Sequence, residues 1–445
     1  MDYQETLARL CAVGAPSGFE GPMAQAAAEL LRPIMDEVTI DKMGSVVAVR
    51  RCGKENAPRL LLDAHLDEIG FIVTGHEEGF LRFAPLGGVD PRMLPDRELT
   101  ILTQPPITGV VACMPPHVLS DEERDKSLPI KELFIDVGLS QEQAQARIPV
   151  GTPAVYHAGC APLGEHCLYG KALDDRSCFT VLADAAQRLL GEELDVDLYI
   201  VGSVQEEVHG TGAITTAYGI VPDLCVAVDV THGASPDAPK DETFPLGGGP
   251  TIGLGPNCTQ WMADRFRAMA EELSIPYSVE VMPGHSGTNG WDLQVSREGV
   301  ATAVLSLPLR YMHTPLETIH RDDLDATARL LAAFIKDLED YFAKEKGFKL
   351  NTSAGYLSML ASLLKDLHKR HIIDTYPFIN HSIRWEVGTP RYITREEVGL
   401  IAALGEDKLQ GYEKVSRDMF LFSCFTGICY ADMISLTYDR IEQDA

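Results

Sequence analysis

Glu206 and Glu207 stand side by side behind an apolar run, in SVQEEVHG (203–210), and four other distant segments also bring acids or histidines together. These are LLLDAHLDEIGF (60–71), GKALDDRSC (170–178), VAVDVTHGASPD (226–237) and RYMHTPLETIH (310–320). Burying two adjacent carboxylates is costly unless a cation compensates them. Two divalent ions a few ångströms apart need a carboxylate able to bridge them, a His or carboxylate on each outer side, and an open position for water. His65, Asp174, Glu207, Asp229 and His313 supply that set, two imidazoles and three carboxylates. The chemistry would be attack of a metal-activated hydroxide on a carbonyl. It also needs a carboxylate that is not a ligand, to take the water's proton and pass it to the leaving amine. Glu206, next to a ligand, is the candidate. Asp67, two residues beyond His65, could accept the free N–H of that imidazole.

Each member has a plainer reading on its own. Asp67 and Glu68 could be solvated charges at a strand end. Asp174-Asp175 could be a helix cap with a first-turn acid, and Asp175 could still serve as one. A single His313 could be a satisfied turn histidine. Asp229, alone in an apolar run, is harder to explain without a partner. The combination points to metal. His157, His166, His209, His232, His285 and His320 have no comparable claim.

Positioning such residues takes strands that end together. Four of the five segments begin with an apolar run and end in acids or histidine. That is how a buried parallel strand delivers side chains to the carboxyl edge of a sheet. Residues 4–36 read as a helix broken at Gly14–Gly18, followed by a strand pair over 37–50 turning at Met43-Gly44. From 69 to 164 short strands (FLRFAPL, ELTIL, ITGVVAC, ELFIDVG, PAVYHA) are separated by Pro, Gly and acidic turns, which suggests an inserted β-rich domain. After 165, strands alternate with helices. The expected fold class is α/β, a mostly parallel helix-covered sheet. The expected organisation is a catalytic domain over 1–68 and 165–345, an insert over 69–164 and a helical tail over 346–445.

The chain has 445 residues, 45% hydrophobic and 23% charged, with a formal charge of −27. That balance fits a soluble protein that attracts cations, and argues against nucleic acid as a partner of the body. The opening MDYQETLARLCAVGAPSGFEG lacks the pattern of a signal peptide, and no run is long enough to span a bilayer. Ten cysteines without a CxxC pair suggest reduced thiols in the cytoplasm.

Residues 1 to about 345 resemble the M42 family of metallo-aminopeptidases. The likeness is carried by PSGFE (16–20), HLDEIGF (65–71), GKALDDR (170–176), QEEV (205–208), AVDVTH (227–232), REGVATAVLSLPLRYMHTPLE (297–317) and the insert. The resemblance implies that His65 and Asp229 hold one metal, Glu207 and His313 the other, and that Asp174 bridges. Glu206 would be the general base and Asp67 its supporting acid. It further implies two divalent ions per subunit, zinc or cobalt first, short peptide substrates in the cytoplasm, and a homo-oligomer, a hollow dodecamer built through the insert as a dimerisation domain. His209 and Thr211 depart from the Gly and Arg often found in the family, and Thr288-Asn289 from a common Thr-Asp pair. These positions are expected to shape the substrate pocket.

The tail is different. TSAGYLSMLASLLKDLHKRHIIDTYPF, RYITREEVGLI and RDMFLFSCFTGICYADMISLTYDRI resemble a piece of a tyrosine recombinase, with Cys429 where many relatives have Arg. No His-x-x-Arg motif follows, so the tail is expected to be a catalytically dead fragment. The alternatives to an aminopeptidase are another metal-dependent hydrolase on the same scaffold, such as a deacylase or a glucanase, and a DNA-related role through the tail.

Overall fold

Two helices, α1 (Tyr3–Cys11) and α2 (Gly21–Leu31), precede a hairpin of β1 (Glu37–Ile40) and β2 (Val46–Arg50) in the computed structural model. Asp41 closes the hairpin turn by accepting the N–H groups of Met43, Gly44 and Ser45 at 2.8, 2.8 and 2.9 Å. Gly44 supplies the left-handed backbone there, with φ 104. The structure describes residues 1–340 except 56, 114–116, 118–127 and 237, and beyond them 398, 401–403, 414 and 417–421. The chain divides into two compact units, Met1–Lys346 and Gly347–Ala445. Apart from those few positions, the recombinase-like segments and the helices expected in them lie outside the described residues.

Strand β3 (Arg59–His65) leads directly into six strands: β4 (Gly70–Glu77), β5 (Phe80–Leu86), β6 (Glu98–Ile101), β7 (Ile107–Ala112), β8 (Phe134–Asp136) and β9 (Pro153–Tyr156). They close into a barrel in the order β4-β5-β8-β7-β6-β9, so none of them is left with a free edge. A short helix, α3 (Gln141–Arg147), starts at a Ser140–Gln143 capping box. The barrel has its own core, in which Phe71 meets Phe83 and Tyr156 edge to face at 5.5 and 5.3 Å between centroids.

The chain then returns through β10 (Ala161–Leu163) and β11 (Cys167–Gly170) to α4 (Leu173–Arg188) and β12 (Asp197–Ser203). Next come α5 (Glu206–His209), α6 (Thr211–Ile220), β13 (Leu224–His232), β14 (Thr251–Leu254), α7 (Gln260–Glu272) and β15 (Ser278–Val281). The last elements are α8 (Gly290–Leu293), β16 (Ala301–Arg310), β17 (Glu317–His320) and α9 (Arg321–Asp340). Among the described residues these strands form one eleven-stranded sheet, β1-β2-β12-β3-β13-β16-β17-β11-β10, with β14 on β16 and β15 on β14.

The expectation of a mostly parallel sheet needs correction. β12, β3, β13 and β16 pair in parallel, as do β14 and β15, but every other pairing is antiparallel. Strand–helix alternation implies parallel pairing only where a crossover joins neighbours. β1–β2 and β10–β11 are hairpins, and β17 follows β16 without a crossover helix, so the flanks run the other way.

The central strands alternate faces. Leu60 and Leu62 join the larger core with α1, α2, α4, α7 and α9, whereas Leu61 joins the smaller core with α6 and α8. On β13, Val226 and Val228 face the first side and Cys225 and Ala227 the second. Phe266 of α7 stacks on Phe334 of α9 at 4.1 Å. No helix among the described residues is long and apolar enough to cross a membrane.

Candidate active site

The parallel strands β3, β12 and β13 end beside one another, because Ser203 pairs with His65 and Ala227 with Asp63 in register. Their carboxyl ends, with the start of α4 and the loop after β16, surround a cleft of about 330 Å³. His65, Asp174, Glu206, Glu207, Asp229 and His313 all line it. Gly88, Val230, Gly287 and Met312 complete the wall.

Asp174 lies between the two imidazoles. Its Oδ1 is 3.0 Å from His65 Nε2, and its Oδ2 is 3.4 Å from His313 Nε2. His313 Nε2 is also 3.3 Å from Glu207 Oε2. Ligand atoms of His65, Asp174 and Glu207 all lie within 4.8 Å of one another, and so do those of His65, Asp175 and Asp229. Glu206 stands at the side, one oxygen 3.9 Å from His65 Nε2.

Asp67 sits behind His65 in a way the sequence did not specify. His65 Nδ1 is 3.1 Å from the main-chain oxygen of Asp67 and 3.5 Å from its carboxylate. The Asp67 carboxylate instead accepts the Ser17 hydroxyl at 2.6 Å and the N–H groups of Glu206 and Glu207 at 3.1 and 3.2 Å. It therefore orients both the imidazole and the turn that carries the paired glutamates.

Electrostatics separates the acids. Burial opposes charge on Asp174, but His313 and His65 outweigh it and hold the carboxyl below its usual range. Burial pushes Glu206 up to about 8, with Asp229, Asp174 and Asp67 adding to the effect against His65. Asp229 rises to about 7, and Glu207 lies well above the usual range, both chiefly through burial. Burial opposes charge on His65 too, yet Asp174, Asp67 and Glu206 hold its pKa well above the usual imidazole value. Negative groups outnumber positive ones here, and the buried Glu207 Oε1 has no hydrogen-bond partner. A site so arranged suits cations.

Comparisons with known proteins identify the family. The profile of the M42 glutamyl aminopeptidase family matches residues 44–330. The chain belongs to the M42 aminopeptidase family. It is therefore a hydrolase of peptide bonds. It is 37% identical over 317 residues to a lysyl aminopeptidase of Pyrococcus furiosus, across 70% of this chain and 90% of that one. Its structure resembles an aminopeptidase from the archaeon Desulfurococcus kamchatkensis, with a TM-score of 0.70 and 36% identity, covering 75% of this chain and 94% of that one. It also resembles a TET peptidase of Pyrococcus horikoshii that can assemble into a tetrahedron or a large octahedral shell. The TM-score is 0.67 at 28% identity, with 75% of this chain and 99% of that one covered.

Several further residues contact the site residues in ways their sequence context did not show. Glu317 accepts the N–H of Asp174 at 3.1 Å and that of His313 at 2.9 Å, tying two cleft residues together. Its place four residues after His313 was the available signal. Asp175 is not a cap: its Oδ2 accepts the N–H of His65 at 3.2 Å, and it is fully buried. Glu68 is no solvated charge either, since it pairs with buried Lys171 and Arg176 at 2.7 and 3.0 Å. Asn289 is buried and donates to Asp63 Oδ1 at 2.6 Å and Ser203 Oγ at 2.9 Å, while Gly287 lines the cleft. From the barrel, Gly88 abuts the His313 ring and Gly87 abuts Glu207; an added Cβ would lie 2.8 and 3.3 Å away respectively.

Proposed function

We propose that the chain removes N-terminal residues from short peptides, using two divalent ions held in this cleft and Glu206 as general base. The observation that carries this reading is Asp174, one oxygen of which lies against the His65 imidazole and the other against that of His313. A carboxylate so placed suits a bridge. His65 and Asp229 would hold one ion, and Glu207 and His313 the other. The donor set fits zinc, cobalt or manganese, and carboxylates raised by burial and by one another gain from divalent charge. When bound, such ions supply Lewis-acid chemistry, lowering the pKa of water and stabilising charge on a peptide carbonyl.

The protein's own groups then divide the remaining work. Glu206 faces the cleft beside His65 and is placed to take a proton from water and return it to the leaving amine. Asp67 fixes Glu206 through its main-chain N–H, and Glu317 fixes Asp174 and His313 in the same way. A homo-oligomer accompanies this reading, by analogy with the assembly of the Pyrococcus horikoshii relative, and the cysteine pattern favours the cytoplasm.

Glu206→Gln tests the central assignment. Turnover of aminoacyl-p-nitroanilides should fall by about a thousandfold or more while bound metal per chain is unchanged. Loss of metal would make Glu206 a ligand instead, and full turnover would remove it from the chemistry. Hydrolysis of a soluble β-glucan in place of the aminoacyl-p-nitroanilides would favour the glucanase alternative.

A further inference from the structure

The turn that delivers Glu206 and Glu207 is held by carboxylates from elsewhere in the chain. Gln205 has a left-handed backbone, φ 61, and donates its N–H to Glu20 Oε1 at 3.1 Å. The next two N–H groups, of Glu206 and Glu207, go to the Asp67 carboxylate. Glu20 is 4% exposed, and the same oxygen also accepts the Gly18 N–H at 2.7 Å. Ser17 in turn holds Asp67 through its hydroxyl at 2.6 Å. One short segment, PSGFE (16–20), therefore reaches both the acid behind His65 and the turn bearing Glu206. The segment is itself pinned to the end of β3. Ala15 donates its N–H to Glu68 Oε1 at 3.1 Å, and Glu68 returns its own N–H to the Ala15 oxygen at 3.2 Å.

We propose that Glu20 and Ser17 are positioning residues for Glu206, acting through the main chain of the 205–207 turn and through Asp67. The inference rests on the assignment of Glu206 as general base. A non-glycine residue with positive φ persists only where its surroundings hold it. Without Glu20 the Gln205 N–H loses its acceptor, and the turn is free to relax. The carboxylate of Glu206 then shifts relative to the water it must deprotonate, and a displacement of about 1 Å at a reacting group costs roughly a hundredfold in rate. A purely structural latch would instead lose metal or fold together with activity.

The test measures kcat, KM and bound metal per chain for Glu20→Ala, Glu20→Gln and Ser17→Ala in the metal-loaded full chain. Glu20→Ala should lower kcat about ten- to hundredfold, with KM within about twofold and metal content unchanged. Glu20→Gln, whose amide oxygen can accept the same two N–H groups, should recover kcat to within about threefold of wild type. Ser17→Ala should fall between them. The inference is overturned if Glu20→Ala keeps full kcat, if Glu20→Gln is no better than Glu20→Ala, or if lost activity tracks lost metal. Should Glu20→Ala fail to fold, unchanged kcat in Ser17→Ala overturns it equally. An active Glu206→Gln would defeat the base assignment itself; an inactive Glu206→Gln beside an unaffected Glu20→Ala would defeat only the present inference.

Discussion

Glu68 carries a prediction whose size follows from its surroundings. Its carboxylate takes the Lys171 ammonium at 2.7 Å on each oxygen, the Arg176 guanidinium at 3.0 Å and the Ala15 N–H at 3.1 Å. All three charged side chains are at most 4% exposed. Truncation to Ala strands two buried cations at once, and removing one partner of a buried pair costs about 3–5 kcal/mol. Arg176 keeps the carbonyl oxygens of Leu10, Val13 and Leu66, which offset part of its loss, so the lower half of that range is expected for Glu68→Ala. Lys171 gives the effect a pH signature. Burial already holds its pKa below the usual lysine value, with Glu68 pulling the other way. In Glu68→Ala it falls further, so the native state binds fewer protons than the unfolded state, and the stability of the variant rises with pH up to about 10.4. Urea unfolding of wild type and Glu68→Ala at pH 7 and pH 9.5 measures both quantities. The deficit should be about 3–4 kcal/mol at neutral pH and should shrink at alkaline pH. A deficit under about 1 kcal/mol, or one that grows with pH, refutes the reasoning.

Three further outcomes are expected. Asp174→Asn should lose at least one metal ion per chain by elemental analysis, and wild-type stoichiometry would remove Asp174 from the ligand set. Loading the metal-free protein at pH 7 should release at least about one proton per chain, because the raised carboxyls of Glu206 (about 8), Asp229 (about 7) and Glu207 and the His65 imidazole, also raised, carry protons that divalent charge displaces. Calorimetry in buffers of different ionisation enthalpy reads that number, and zero release contradicts it. Gly79→Ala should destabilise the barrel by about 1–3 kcal/mol, since Gly79 has φ 93 and an added Cβ would lie 2.3 Å from the Leu139 oxygen. A melting temperature unchanged from wild type counts against it.

What could be read from the sequence follows from what side-chain pattern encodes. Apolar runs ending in acid or histidine marked β3, β12 and β13, and their alternation of faces is visible in Leu60, Leu61 and Leu62. The hairpin at Met43-Gly44 was legible because Asp41 and Gly44 carry the turn chemistry. Strand direction was not, because β10, β11, β14 and β17 are only three or four residues long and their pairing depends on distant partners. At the site, residue type pointed to His65, Asp174, Glu207, Asp229 and His313. The jobs of Asp175, Glu317, Glu68 and Glu20 were hidden, because each acts on a main-chain N–H or a buried cation far away in sequence. Such partners leave no mark in local spacing.

The barrel's loop touches both a histidine and a glutamate of the cleft, through two residues without side chains. Whatever the barrel leans against is thereby mechanically linked to the chemistry. Bulk added to that loop at Gly88 would meet the His313 ring first, and bulk added at Gly87 would meet Ile69 and Glu207.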